Sequence, residues 1–268
     1  MRSAPTRTHA EDHAARRRRS ITRGAVLLLV LAGLVALAMS AASTPPGSDG
    51  AKKRTTAHQA GEPAEVACGG EAPAPAHPGR YERAPSPSEV LESGTDYGAV
   101  VHTSCGDIEI DLLEQQAPQA VASFVFLARE GFYEGLLWNR IEDDFIIQTG
   151  DPNNRLESPP DGPGYTLPDE LAGVRPRDYV YGVVALANSG PNTGGSEFFI
   201  VVHRGPHDNS PAGLPNAYTI FGRVSPSSFG VIDEIASQKT HPGYAIEKSV
   251  RSVHPVYVES IDITEEPG

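Results

Sequence analysis

An arginine stands inside an apolar, β-type stretch of this chain, and few folds accommodate such a residue. Residues 138–151 read WNRIEDDFIIQTGD. Apolar side chains at Trp138, Ile141, Phe145, Ile146 and Ile147 surround an acidic turn, Glu142-Asp143-Asp144, which splits the segment into two short strands. Asn139, Arg140 and Gln148 interrupt the apolar run. A guanidinium cannot escape burial by losing its proton. Arg140 must therefore reach water, pair with an acid, or face a site. The acidic turn reads as solvated surface, the common fate of charges on a hairpin tip.

The regions flanking this stretch divide the chain. Residues 1–24 are polar and basic. Residues 1–23 hold seven of the 22 basic residues and two of the 34 acidic ones, so the remainder carries −17 of the net −12. Nucleic acid is a poor partner for a body of that charge. Residues 25–42 form an uncharged run of 18 residues, close to the minimum of roughly 17–25 that crosses a bilayer. Arginines on its N-terminal side predict a cytoplasmic N-terminus and an exported remainder. The run reads as an uncleaved signal anchor, placing the chain in the cell membrane as a single-pass protein. The alternative is a cleaved signal peptide and secretion, because Ala36-Leu37-Ala38 offers a small-residue cleavage site. Residues 43–96 are rich in Pro, Ala, Ser and Gly and lack the apolar content to fold alone. They read as a disordered spacer.

The compact domain is expected over 97–268. Residues 99–103 and 107–112 alternate apolar and polar about a Cys105-Gly106 turn, which is a hairpin pattern. Residues 117–130 place Val121, Phe124, Val125 and Ala128 at helical spacing, with Pro118 in the first turn and Gly131 as the stop. Further strands are expected over 181–187, 197–202, 218–224 and 256–263, with a short helix over 228–237. Residues 150–180 form a Pro/Gly-rich loop long enough to be functional or to cover a core. About eight strands and two helices predict a mainly β fold, a closed antiparallel barrel capped by helices.

The common catalytic signatures HExxH, GxSxG, GxxxxGK[ST] and GxGxxG are absent. His203 and His207 lie in a Gly/Pro loop rather than on a helix, which does not favour a metal pair. No nucleophile sits beside a base. What remains is a set of aromatics, amides and one arginine on strands, suited to chemistry without covalent intermediates.

The motifs FIIQTGDPN, ALANSGPNTGGSEFFIV and YTIFGRV occur in this order. They resemble the cyclophilin family of peptidyl-prolyl isomerases, over about residues 99–265. The N-terminal organisation is similar to that of exported actinobacterial members. The resemblance implies an eight-stranded antiparallel barrel closed by two helices, no cofactor and no metal. It also implies X-Pro polypeptides as partners and a monomeric domain that assists folding of exported proteins. It makes Arg140 the central catalytic residue, with Gln148 orienting the guanidinium. Phe145, Ile146, Phe199 and Leu214 would form the proline pocket. Asn188 would hold the substrate backbone through main-chain groups, with Ala187, Glu197 and Tyr218 at further contact positions. Asn139 and Tyr218 stand where many members have histidine, Glu197 where glutamine is usual, and Gly213 where a tryptophan is common. Phe221 reads as plain core. A non-catalytic module that binds proline segments on the same fold is the alternative.

Export also gives the two cysteines a meaning, because disulfides persist in oxidising compartments. A Cys68–Cys105 bridge would pin the end of the spacer onto the first hairpin.

Overall fold

The computed structural model describes residues 65–74, 76, 78–153, 162–205, 212–241 and 252–268, all of them within the single unit Gln59–Gly268. The run at 25–42 lies outside the described residues. Among the described residues, no helix is long and apolar enough to cross a membrane.

Eight strands form one curled antiparallel sheet: β1 (Thr95–Thr103), β2 (Gly106–Leu112), β3 (Arg140–Glu142), β4 (Ile146–Thr149), β5 (Val183–Leu186), β6 (Phe198–Val201), β7 (Ile220–Val224) and β8 (Val258–Pro267). Their order is β3-β4-β6-β5-β7-β2-β1-β8. The strand ladder does not close on itself as the sequence pattern suggests. It ends at β3 and β8, and a single bridge, Leu137↔Tyr257, joins the segments that lead into those two edges. Backbone bonds from Trp138 N to Val256 O (2.9 Å) and Val258 N to Leu136 O (2.8 Å) accompany it. β3 is only three residues long, so the ladder has little length with which to continue. The opposite edge carries Glu259, Asp262, Glu265 and Glu266 on β8, charges that discourage pairing with another chain.

Side chains on β4, β5 and β6 are buried on both faces, and alternation sorts them. Ile147, Val184, Leu186, Phe198 and Ile200 enter one cluster, with Phe221 from β7. Ile146, Val183, Ala185, Phe199 and Val201 enter a second cluster on the other face. The first cluster also takes Val121, Phe124 and Leu127 from helix α2 (Pro118–Arg129), and Ile232 and Ile235 from helix α3 (Phe229–Ala236). Phe198 is its centre, with ring centroids of Phe124, Tyr133, Trp138 and Phe221 at 5.6, 5.8, 6.1 and 6.1 Å. The edge-on geometry of these pairs adds to their area burial.

The second cluster is covered by loops rather than helices. Val174, Tyr179, Leu214 and Tyr218 lie over it. One carboxylate fastens this cover. Helix α2 begins at Pro118 after Ala117, which supplies no side-chain cap. Glu170 takes that role from the loop, accepting from Gln119 N (3.1 Å) and Ala120 N (2.9 Å). A carboxylate at a helix N-terminus satisfies orphan donors and opposes the positive end of the dipole.

Several described residues between 65 and 94, a stretch expected to be the end of a spacer, pack against the domain. Val66 and Ala67 are buried, and Ala67 N donates to Pro255 O (3.0 Å). Cys68 and Cys105 are joined by a disulfide (Cα–Cα 5.1 Å). Tyr81 stacks edge-on against Phe126 of α2 at 4.8 Å. Pro85 O accepts from Gln119 Nε2 (2.6 Å), and the four-residue helix α1 (Pro87–Val90) follows with a Ser86/Glu89 capping box. The composition of this strap is that of a linker. Its few anchors hold because the covalent bridge closes a segment of 37 residues, which removes unfolded-state entropy.

Candidate active site

The site is built where β3, β4 and β6 run side by side. Arg140 lies opposite Gln148, and Gln148 opposite Phe199. These three residues therefore share one face of the sheet. The turn between β3 and β4 is tight, with Asp144 in the left-handed region (φ 55) and Phe145 N donating to Glu142 O (3.1 Å). Asp144 Oδ1 lies 3.0 Å from His203 Nδ1, and Val202 N donates to Phe145 O (2.9 Å). The hairpin tip is thus tied to the end of β6.

Arg140 is partly exposed. Its Nε donates to Glu142 Oε1 (2.7 Å), and one Nη forms an ion-pair contact with the same oxygen (2.7 Å). Its Cζ stands 5.7 Å from the centroid of the Phe145 ring. The acidic turn is therefore not uniformly solvated surface. Glu142 shares Arg140's strand two residues on, on the same face, and its side chain is only 12% exposed. From the sequence, an ion pair of Arg140 with Glu142 or Asp144 is the alternative to a site role, and the period-two alternation of Arg-Ile-Glu favours Glu142.

Phe145, Ile146, Phe199, Leu214 and Tyr218 come together in the second cluster, Phe145 and Tyr218 at its half-buried margin. The Tyr218 ring stands edge-on to Phe199 at 5.2 Å. Tyr179 fixes Tyr218 by its backbone: the Tyr179 hydroxyl donates to Tyr218 O (2.7 Å) and accepts from Tyr218 N (3.0 Å). Ala187 packs at the edge of the same cluster. Asn188 Nδ2 donates to Ala217 O (2.6 Å) and its Oδ1 accepts from Gly190 N (3.3 Å). Its side chain is therefore committed to holding the turn, which leaves its main-chain groups for a substrate.

Gln148 is engaged by a neighbour rather than by Arg140. Its amide and that of Asn139 hydrogen-bond the Glu197 carboxyl. Burial pushes Glu197 up to about 7, the Asp151 carboxylate adds to the rise, and the two amides and Arg140 oppose it. Near neutral pH Glu197 therefore holds its proton for much of the time and can donate as the amide usual at that position would. Asp151 is buried and accepts from Asn153 N (2.9 Å). Gly150 brings the two acids together. With φ +97, a Cβ there would fall 2.4 Å from Ser196 O and 2.9 Å from the Glu197 Cα, so only glycine permits this close approach. Neither Asp151 nor its proximity to Glu197 left a signal in the sequence pattern.

Beside these residues a cavity of about 420 Å³ opens, lined among others by Tyr165, Ala187, Asn188, Thr193 and Glu197, with Arg80 arriving from the strap. Arg80 was also not expected here, because its segment reads as spacer.

Arranged in this way, a guanidinium borders an aromatic and aliphatic recess, with side-chain amides beside it. This constellation can hold an apolar ring and donate to an adjacent amide. Comparison with known proteins agrees. Residues 99–262 match the model of the cyclophilin type peptidyl-prolyl cis-trans isomerase family, and the chain belongs to that family. A probable peptidyl-prolyl cis-trans isomerase A of Mycobacterium leprae is 35% identical over 182 residues, covering 62% of this chain and 91% of that protein. The human peptidyl-prolyl cis-trans isomerase-like 3 is 32% identical over 167 residues, covering 62% and 96%. Among solved structures, a cyclophilin type isomerase of Cryptosporidium parvum superposes with a TM-score of 0.53 at 26% identity, covering 64% of this chain and 99% of that one. The same protein in the presence of the dipeptide Ala-Pro gives a TM-score of 0.52.

Proposed function

We propose that this isomerase is anchored in the cell membrane by residues 25–42 and acts as a monomer on X-Pro bonds of exported polypeptides, with Arg140 as the catalytic group. In this reading the bridge at Leu137↔Tyr257 completes the sheet as a closed barrel. Secretion after cleavage would leave the same domain at work outside the cytoplasm. The basic cluster ahead of the apolar run supports the orientation, and the Cys68–Cys105 disulfide supports an oxidising location. A proline-bearing substrate is supported by the relative solved in the presence of Ala-Pro.

The chemistry follows from amide resonance. Rotation about the peptide bond meets a barrier of ~18–20 kcal/mol, and uncatalysed X-Pro exchange takes roughly tens to hundreds of seconds. Twisting breaks the conjugation and leaves the proline nitrogen pyramidal and basic. A donor fixed beside that nitrogen is favoured in the twisted state over the planar one, and only such differential stabilisation raises the rate. Arg140 needs no proton transfer to do this. Phe145, Ile146, Phe199 and Leu214 would grip the ring while the preceding carbonyl swings. Main-chain groups of Asn188 and Ala187 would hold the peptide, with Tyr218 closing the rim.

The single observation that carries the assignment is the guanidinium of Arg140 held at the margin of the Phe145–Phe199 recess. Arg140→Ala is expected to lower kcat/KM for an X-Pro peptide by about 100-fold or more, the scale for removing one preorganised donor. A protease-coupled isomerisation assay reads this directly. Tight peptide binding without turnover, unaffected by the substitution, would instead make the domain a binding module.

A further inference from the structure

We propose that Glu142 is a positioning residue for the isomerase reaction, holding the Arg140 guanidinium in its working orientation. The inference rests on the reading of Arg140 as the catalytic group. Arginine has a long, flexible stem, and freezing it is entropically costly. Glu142 does the freezing here, because one carboxylate oxygen accepts from Nε–H at 2.7 Å and lies 2.7 Å from one Nη of the same guanidinium. A hydrogen bond at Nε with an ion-pair contact at the neighbouring Nη restrains the plane of the guanidinium as well as its position. The Nη amino groups carry the donors that would serve a substrate. Across the plane lies the Phe145 ring, 5.7 Å away.

The support beneath Glu142 is itself rigid. Its carbonyl accepts from Phe145 N, and Asp144 and Phe145 are tied to His203 and Val202. Glu142 pairs with Ile146 in the β3–β4 ladder. A group that orients another must stand on an element that does not move, and this hairpin tip meets that condition.

A carboxylate beside a catalytic cation has two opposing effects. It orients the guanidinium, and it offsets part of its charge. Arg140 remains 29% exposed, so water screens the offset, whereas orientation is not screened. Orientation therefore dominates, and losing Glu142 should slow the enzyme. The sign of the effect separates the two.

The test is isomerisation kinetics of the full-length chain in detergent with Glu142→Ala, Glu142→Gln, Arg140→Ala and the double variant Arg140→Ala/Glu142→Ala, each melted to confirm folding. Glu142→Ala should lower kcat about ten-fold and leave KM within about two-fold, as expected when only a transition-state interaction is lost. Glu142→Gln keeps an oxygen acceptor for Nε–H and should stay within about three-fold of the parent. The double variant should be no slower than Arg140→Ala, because contacting residues that act as one unit are not additive. A rise or no change in kcat for Glu142→Ala overturns the role, as does a full additional loss on the Arg140→Ala background. Loss that glutamine does not rescue and that tracks a lowered melting midpoint also overturns it. If Arg140→Ala itself leaves turnover intact, the reading of the site falls together with this role. If Arg140→Ala abolishes turnover and Glu142→Ala does nothing, only the role of Glu142 falls.

Discussion

Phe198 and Phe199 are neighbours on one strand with the same burial, yet they belong to different parts of the molecule. Phe198 enters the cluster beneath the helices, where four aromatic rings surround it. Phe199 enters the cluster beneath the loops, where its ring partner Tyr218 is half exposed. The covers explain the difference. Helices bring continuous apolar stripes and close a core. Loops pinned at a few points leave a recess that an outside ring can enter. Hydrogen bonds at Glu170 and Tyr179 pin the loops over that recess. Consecutive positions on a strand thus divide stability from recognition by the strand period alone.

Substituting each phenylalanine probes this division. Phe198→Ala should cost about 3–5 kcal/mol of unfolding free energy, the range for an aromatic removed from a closed core, read by chemical denaturation. Phe199→Ala should cost less, about 2 kcal/mol, because the vacated space borders solvent and can relax or take water. Its larger effect should be on the peptide, with KM raised about ten-fold by loss of pocket contact. Equal stability losses, with KM unmoved, would show that the two faces are one core and that the recess is not the proline site.

The same division explains which parts of the architecture were legible in the sequence. Alternation in 99–103 and 107–112, and the helical spacing of Val121, Phe124 and Val125, are local signals, and those elements stand where the pattern places them. Arg140, Phe145, Ile146, Phe199, Leu214 and Tyr218 are gathered at one place because β4, β6 and the covering loops meet there. The closed barrel expected from the strand count gives way to a ladder that ends at β3 and β8, where the bridge Leu137↔Tyr257 pairs positions 120 apart. The pinning of the strap by Cys68–Cys105 was legible from the two cysteines, whereas the docking of Tyr81 on Phe126 was not, because composition reports only average apolarity. Asp151 lies near enough to raise Glu197 where the backbone at Gly150 passes close to Ser196 and Glu197, a proximity with no period to reveal it.

That acidic pair supplies the smallest effect and the finest test of the recess. Glu197 has a folded-state value of about 7 against an ordinary 4.5, so the native protein holds a proton that the unfolded chain has lost. Stability then falls as pH rises from about 4.5 to 7, and the deficit is complete above the folded value. The displacement sets a ceiling of about 3 kcal/mol. Water at the partly open recess reduces it to about 1–2 kcal/mol. Glu197→Gln cannot ionise, so the variant should match the parent near pH 4 and exceed it by that amount at pH 8. Comparing variant with parent cancels the self-repulsion that the acidic domain feels at high pH. Ionised Glu197 would also draw on the Arg140 guanidinium, against the hold of Glu142. The parent's kcat/KM should therefore decline as pH passes 7, and the glutamine variant's should stay flat. A constant stability difference at pH 4 and pH 8 would mean that the recess is wet enough to keep Glu197 at its ordinary value. In that case the open face resembles solvent far more, and the closed face far less, than their shared strand suggests.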